Sequence, residues 1–190
     1  MISEIYPEYN ENKIDEIKYG LEAIYLSLTK VIVIILVCLL LGIFKEAVIV
    51  LLFFNILRST AFGIHASKSW MCWVSSSILF IGIPYLCMYC NMPTFIHYIM
   101  IFSSIICYLL YAPADTKKRP LVRKNRRIKF KILTLVISII YLILFCNTSN
   151  LFIKNVIACT MTLESVLIHP LTYRIFHLPY KNYERYVFSK

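Results

Sequence analysis

An imidazole and a thiol stand seven residues apart in the stretch Arg58-Ser-Thr-Ala-Phe-Gly63-Ile-His65-Ala-Ser67-Lys-Ser69-Trp-Met-Cys72. A base beside a soft nucleophile is what acyl transfer through a thioester requires. On one unbroken helix the two side chains would share a face but lie about 10 Å apart along the axis, too far for a proton to pass. The backbone must therefore turn between them. Gly63 permits an unusual backbone conformation, and Ser67-Lys68-Ser69 is a natural break before a new helix that Ser69 would cap. Cys72 then falls in the first turn of that helix. There the backbone N–H groups, the helix dipole and nearby cations such as Lys68 or protonated His65 favour thiolate.

The elements around this stretch belong to a membrane. Of the 190 residues 59% are hydrophobic and only 16% charged, with a mean hydropathy of +0.71, a balance that excludes a water-facing globular surface. The first turns carry Glu4, Glu8, Glu11, Asp15 and Glu16. A secretory leader begins with basic residues, so no cleavable leader is expected and the first apolar segment is read as retained. Residues 8–24 set Tyr9, Ile14, Ile17, Leu21 and Ile24 among charges, the pattern of an amphipathic helix lying along the interface.

A hydrocarbon core about 30 Å thick takes about 20 helical residues. Val31–Phe44, lengthened by Leu26–Thr29, gives a first span. Ala47–Leu57 is apolar but short before Arg58, so Ser59–Ala66 must complete it or the segment re-enters. The charge-free run after Lys68 reaches Ala114 and holds two spans with Cys90-Asn91-Met92-Pro93 as their turn. Ile132–Cys146 and Leu151–Tyr173 form a second hairpin around Asn147-Thr148-Ser149-Asn150. The reading is an all-α, polytopic membrane helical bundle of about six spans, one of which could be re-entrant, in a single domain over residues 1–190. Residues 112–131 form a basic loop containing Lys117, Lys118, Arg119, Arg123, Lys124, Arg126, Arg127, Lys129 and Lys131. Under the positive-inside rule that loop is cytoplasmic, which puts both termini and the Arg58–Cys72 stretch on the cytoplasmic side.

Glu164 lies within the last apolar run, and an ionisable group at that depth needs a partner; Arg58 or His65 could supply it. Asp115, at the entry to the basic loop, could orient a catalytic group or cap backbone amides, with equal weight on each. Cys87 and Cys90 have no second pair and read as packing thiols, and His97, His169 and His177 show no metal-ligand spacing. The basic loop could hold an acidic part of a substrate, though topology and anionic lipid attraction alone are the leading account of its charge. No nucleic-acid partner is expected.

Arg58, Gly63, His65-Ala66 and Cys72 resemble, in order and spacing, the pattern of the AgrB family, the accessory gene regulator B proteins. Tyr111-Ala112-Pro113-Ala114-Asp115-Thr116, followed by Lys117-Lys118-Arg119-Pro120, resembles that family's second recognisable segment. Where the family commonly has two adjacent glycines, this chain has Phe62-Gly63. The resemblance implies a membrane-embedded cysteine endopeptidase at the bacterial plasma membrane. Cys72 would be its nucleophile and His65 its base, with Arg58, Gly63, Asp115 and Glu164 in supporting places and no metal or organic cofactor. Its substrate would be a short AgrD-like propeptide, cleaved and closed into a thiolactone or lactone ring for quorum sensing. It implies a homodimer among membrane lipids. The alternative is a non-enzymatic small-peptide exporter or transporter component; a structural, lipid-interacting protein is a third reading.

Overall fold

The structure is a computed structural model and describes residues 11–64, 69–116 and 120–184. His65, Ser67 and Lys68 therefore lie outside the described residues, as do Lys117, Lys118 and Arg119 of the basic loop and the two ends of the chain. The described helices are α1 (Glu11–Leu40), α2 (Phe44–Ala61), α3 (Ser69–Ser77), a π-helical turn (Ile78–Gly82), α4 (Ile83–Tyr89), α5 (Thr94–Tyr111), α6 (Lys124–Asn147), α7 (Leu151–Ile168) and α8 (Pro170–Ile175). They divide into two compact units, residues 1–42 and 43–190.

In the first unit, α1 runs without interruption for 30 residues. From Glu11 on, the interfacial helix read over 8–24 and the first span up to Leu40 are thus one helix, because neither proline nor a glycine pair breaks the segment between them; Phe44, read as the end of that span, opens α2 instead. It ends at Gly42, whose φ of 69° lets the chain turn left-handed while its N–H bonds Leu39 O at 3.1 Å.

In the second unit four segments are long and apolar enough to cross a membrane: Trp70–Tyr89, Thr94–Tyr111, Lys124–Asn147 and Leu151–Ile168. The outward faces of these helices carry Ile78, Phe95, Ile99, Leu110, Ile132, Ile139 and Ile143, all exposed. The inward faces hold small polar residues. Ser104, Thr134, Ser138 and Thr160 are fully buried and each hydroxyl bonds a carbonyl one turn back on its own helix. A lipid-facing exterior over a small-residue interior is the pattern of helix packing in membranes. α2 is one helix of 18 residues, about 27 Å long. It includes Ser59–Ala61 at one end and Phe44–Glu46 at the other, so Ala47–Leu57 belongs to one continuous helix.

α7 is the central element: ten of its eighteen residues are buried, and α2, α4, α5 and α6 all pack against it. Tyrosine hydroxyls pin neighbouring helices across the bundle. Tyr108 on α5 donates to Met161 O at 2.6 Å, and Tyr141 on α6 donates to Phe53 O on α2 at 2.8 Å. Two turns close where the sequence places them. Asn150 caps α7 by accepting from the N–H of Phe152 at 2.9 Å and of Ile153 at 3.4 Å. Cys90–Pro93 joins α4 to α5. α7 stops at Ile168, and Pro170 opens the separate helix α8, so the apolar run to Tyr173 is two helices. The second half of the basic loop is helical as well, since α6 begins at Lys124.

The π-helical turn precedes Pro84, which has no N–H to return to the preceding turn. The widened turn accommodates that missing donor without ending the helix. Where α4 stops, Asn155 of α7 donates to Cys87 O and Cys90 O, both at 2.9 Å, and its Oδ1 accepts from His97 Nε2 at 2.7 Å. One fully buried amide so satisfies the last carbonyls of α4 and fixes α5 beside them. Asn155→Leu should lower stability by roughly 1–3 kcal/mol for each group left unsatisfied. Thermal unfolding in detergent measures it, with Asn147→Ala, at an exposed position, as the near-neutral control.

Candidate active site

α2 ends in the wall of the bundle, and the next three residues are held by partners distant in sequence. Phe62 takes φ 63° and ψ −122°, and Gly63 takes φ 101°. These two left-handed residues turn the chain out of the helix. Gly63 N–H then bonds Ala114 O at 2.8 Å, Ala114 N–H bonds Ala61 O at 2.9 Å, and Ile64 N–H bonds Leu167 O at 3.3 Å. The first two bonds form a parallel bridge between Phe62 and Ala114.

Arg58, in the last turn of α2, holds the same segment from within. Its Nη1 donates to Phe62 O, its Nη2 to Ile64 O, and Nη1 lies 3.4 Å from Glu164 Oε1 and 3.5 Å from Oε2. The Glu164 side chain is 0% exposed and that of Arg58 15%. A carboxylate on α7 is therefore neutralised by the guanidinium that also satisfies two carbonyls released at the end of α2. The planar fork of arginine serves these acceptors at once, which a lysine ammonium on its single point charge would not match.

Gly63 has no room for a side chain. A Cβ there would lie 2.5 Å from Arg58 Nη1, 3.0 Å from Leu167 O and 3.2 Å from Ile168 Cγ2. At Phe62 the outcome is different. Its φ is one that glycine adopts without cost; here a phenylalanine holds it, and the phenyl ring packs edge-on against Phe130 of α6, centroids 4.9 Å apart.

Asp115 follows the bridge and is 3% exposed. Its carboxylate accepts from the N–H groups of Leu121 at 3.3 Å, Asn182 at 2.9 Å and Tyr183 at 2.8 Å. Tyr173 of α8 donates to Asp115 O at 3.2 Å. The carboxylate is thus a cap that gathers the start of the basic segment and the 180–183 stretch around the bridge. The structure brings Arg58, Gly63, Glu164 and the Ala114–Asp115 segment into one cluster. Cys72 lies in the first turn of α3, half-buried, with its carbonyl accepting from Ser75 Oγ at 3.2 Å. Among the described residues no group of His, Cys, Asp and Glu is arranged to hold a metal ion.

The family model of accessory gene regulator B matches residues 1–168. The chain belongs to the AgrB family. An AgrB-like protein of Clostridium acetobutylicum is 34% identical over 171 residues, covering 88% of this chain and 80% of that protein. An AgrB-like protein of Listeria innocua is 32% identical, with 90% and 84% covered. The accessory gene regulator protein B of Staphylococcus saprophyticus is 32% identical, with 87% of each covered. No solved structure matches the chain. In this AgrB-family chain the Pro-Ala-Asp-Thr segment has a structural meaning that its composition does not announce: Ala114 supplies the edge on which Gly63 is hung. Tyr173 and Asn182, which complete that corner, carry no sequence signal beyond being polar groups after the last apolar run.

Glu164→Leu should cost roughly 3–5 kcal/mol, because Arg58 keeps its charge and loses its counter-ion. The double variant Arg58→Met/Glu164→Leu should recover part of that loss. Thermal unfolding of the four proteins in one detergent gives the coupling directly.

Proposed function

We propose that the chain is a membrane-embedded cysteine endopeptidase that cleaves a short propeptide and promotes its cyclisation. The observation that carries this reading is the end of α2 at Ala61 followed by the stapled turn at Phe62–Ile64, with a new helix opening at Ser69. One helix has ended before His65 and another opens before Cys72, so the two residues do not belong to a single rod. Membership of the accessory gene regulator family and the apolar spans support it further.

In the reaction, His65 takes the thiol proton of Cys72, and the thiolate attacks the carbonyl carbon of the scissile bond. Backbone N–H groups at the start of α3 face the developing oxyanion. As the C–N bond breaks, the imidazolium returns its proton to the leaving amine and a thioester remains on Cys72. His65, neutral again, takes the proton of a thiol of the bound peptide, the resulting thiolate attacks that thioester, the new S–C bond closes a thiolactone, and Cys72 leaves as thiolate beside the imidazolium. Exchange of one thioester for another is close to balanced in energy, and a site among apolar helices keeps water from intercepting the acyl group. Arg58, Gly63 and Glu164 act by positioning the turn. The reading sets the site at the cytoplasmic face of the plasma membrane, with both termini inside, the AgrD-like precursor as substrate and a homodimer as the working unit.

Cys72→Ala and His65→Gln should each abolish precursor cleavage in proteoliposomes, followed by mass spectrometry of the peptide, while membrane insertion stays normal. Cleavage at the wild-type rate by Cys72→Ala would falsify the peptidase reading. Gly63→Ala should slow cleavage about 100-fold, the cost of moving a reacting group by about 1 Å.

A further inference from the structure

A cavity of about 280 Å³ opens beside the corner that Asp115 holds, between the end of α5, the first two turns of α6 and residues 180–183. Arg127, Lys131, Lys181, Tyr111, Tyr180 and Asp115 are among its walls. Its charge is unbalanced. Both oxygens of Asp115 already accept backbone N–H groups, and Lys181 pairs with Glu184 at 3.5 Å. Half-buried Arg127 and Lys131 make no ion pair among the described residues.

Arg127 is nevertheless fixed in place. Its guanidinium carbon lies 3.8 Å from the centroid of the Tyr183 ring, and Nη1 donates to Leu121 O at 3.0 Å and Val122 O at 3.2 Å. Among the described residues its Nε and Nη2 make no hydrogen bond. Burial pushes the Tyr180 hydroxyl up to about 12, so it stays a neutral O–H donor at physiological pH.

A shallow hollow on α6 adjoins the cavity at Ile128. Ile128 lines both the cavity and a second hollow shared with Asn125, Lys129 and Ile132, and Leu110 and Ile132 are exposed beside them. α5 and α6 both qualify as membrane spans, and the cations lie at the end of α6 that leaves the hydrocarbon. A ligand matching this surface has a compact anionic head and a long apolar tail. We propose that the cavity holds the phosphate-bearing headgroup of an anionic phospholipid between Arg127 and Lys131, its acyl chain lying along Ile128 and Ile132. This gives one stoichiometric lipid site, distinct from diffuse attraction of the basic segment to the membrane surface.

Native mass spectrometry of the full chain in detergent, with added phosphatidylglycerol or phosphatidylcholine, tests the site. One phosphatidylglycerol should be retained and phosphatidylcholine should not. Lys131→Gln, which breaks no ion pair within the described residues, should weaken retention about 5-fold, and Arg127→Gln/Lys131→Gln roughly 30-fold. Arg123→Gln/Lys124→Gln removes the same charge from exposed positions outside the cavity and should leave retention unchanged. Millimolar inorganic phosphate should not displace the lipid. Equal losses in both double variants, equal retention of phosphatidylcholine, or displacement by phosphate alone would each overturn the proposal. So would binding of a soluble glutamate-rich peptide that depends on Arg127 and Lys131, which would make this a peptide site.

Discussion

The rest of the site depends on how a polypeptide can stop being a helix among apolar helices. Every N–H and C=O released there needs a partner, and lipid offers none. At the end of α2 the partners are Ala114, Leu167 and above all Arg58, whose one side chain reaches two carbonyls and a carboxylate. The guanidinium is both the plug for an open helix end and the counter-charge of Glu164. Neither charge would be tolerable in this place alone, so the salt bridge and the turn are one structural unit.

α7 makes that unit possible because it is polar where it is deepest. Asn155 near one end gathers α4 and α5, Met161 O receives Tyr108, Glu164 receives Arg58, and Leu167 O receives Ile64. The four contacts climb one helix in sequence order. The apolar positions between them fill the core with Leu57, Ile101, Tyr108 and Phe145. A central helix of this kind sets the height of each neighbour, and the broken segment after Ala61 takes its level from it.

Much of this was legible in residue order. Pro93 and Asn150 mark helix starts by their own chemistry, and the distance between His65 and Cys72 along an ideal helix is enough to require a break. Of the about six spans read from apolar run lengths, the last four are helices long and apolar enough to cross a bilayer; Leu28–Leu40 is a shorter apolar stretch, and three charges interrupt Phe44–Ala61. What the order of residues does not announce is non-local. The bridge from Phe62 to Ala114 joins segments about fifty residues apart in a chain otherwise built of helices, and nothing in Tyr-Ala-Pro-Ala-Asp-Thr reads as an edge. Phe62 in a glycine conformation is legible only once its ring is seen to have Phe130 to rest on. Lys124–Lys131 reads as loop from its charge, yet it is helix because exposed cations cost a helix little outside the hydrocarbon.

The π-helical turn at Ile78–Gly82 sets the rotational phase between α3 and α4. A widened turn holds one residue more than an α-helical turn of the same span, and each residue of an α-helix advances the chain by about 100°. Pro84 and the packing of Cys87 fix the face that α4 turns toward α7. The azimuth of the Cys72 thiol is therefore referred to α7 through a spacer whose length is counted in single residues. Within this lineage, insertions and deletions on the stretch joining thiol to proline should be far rarer than substitutions, since changing the count by one would swing the Cys72 side chain about a quarter-turn around the axis of α3.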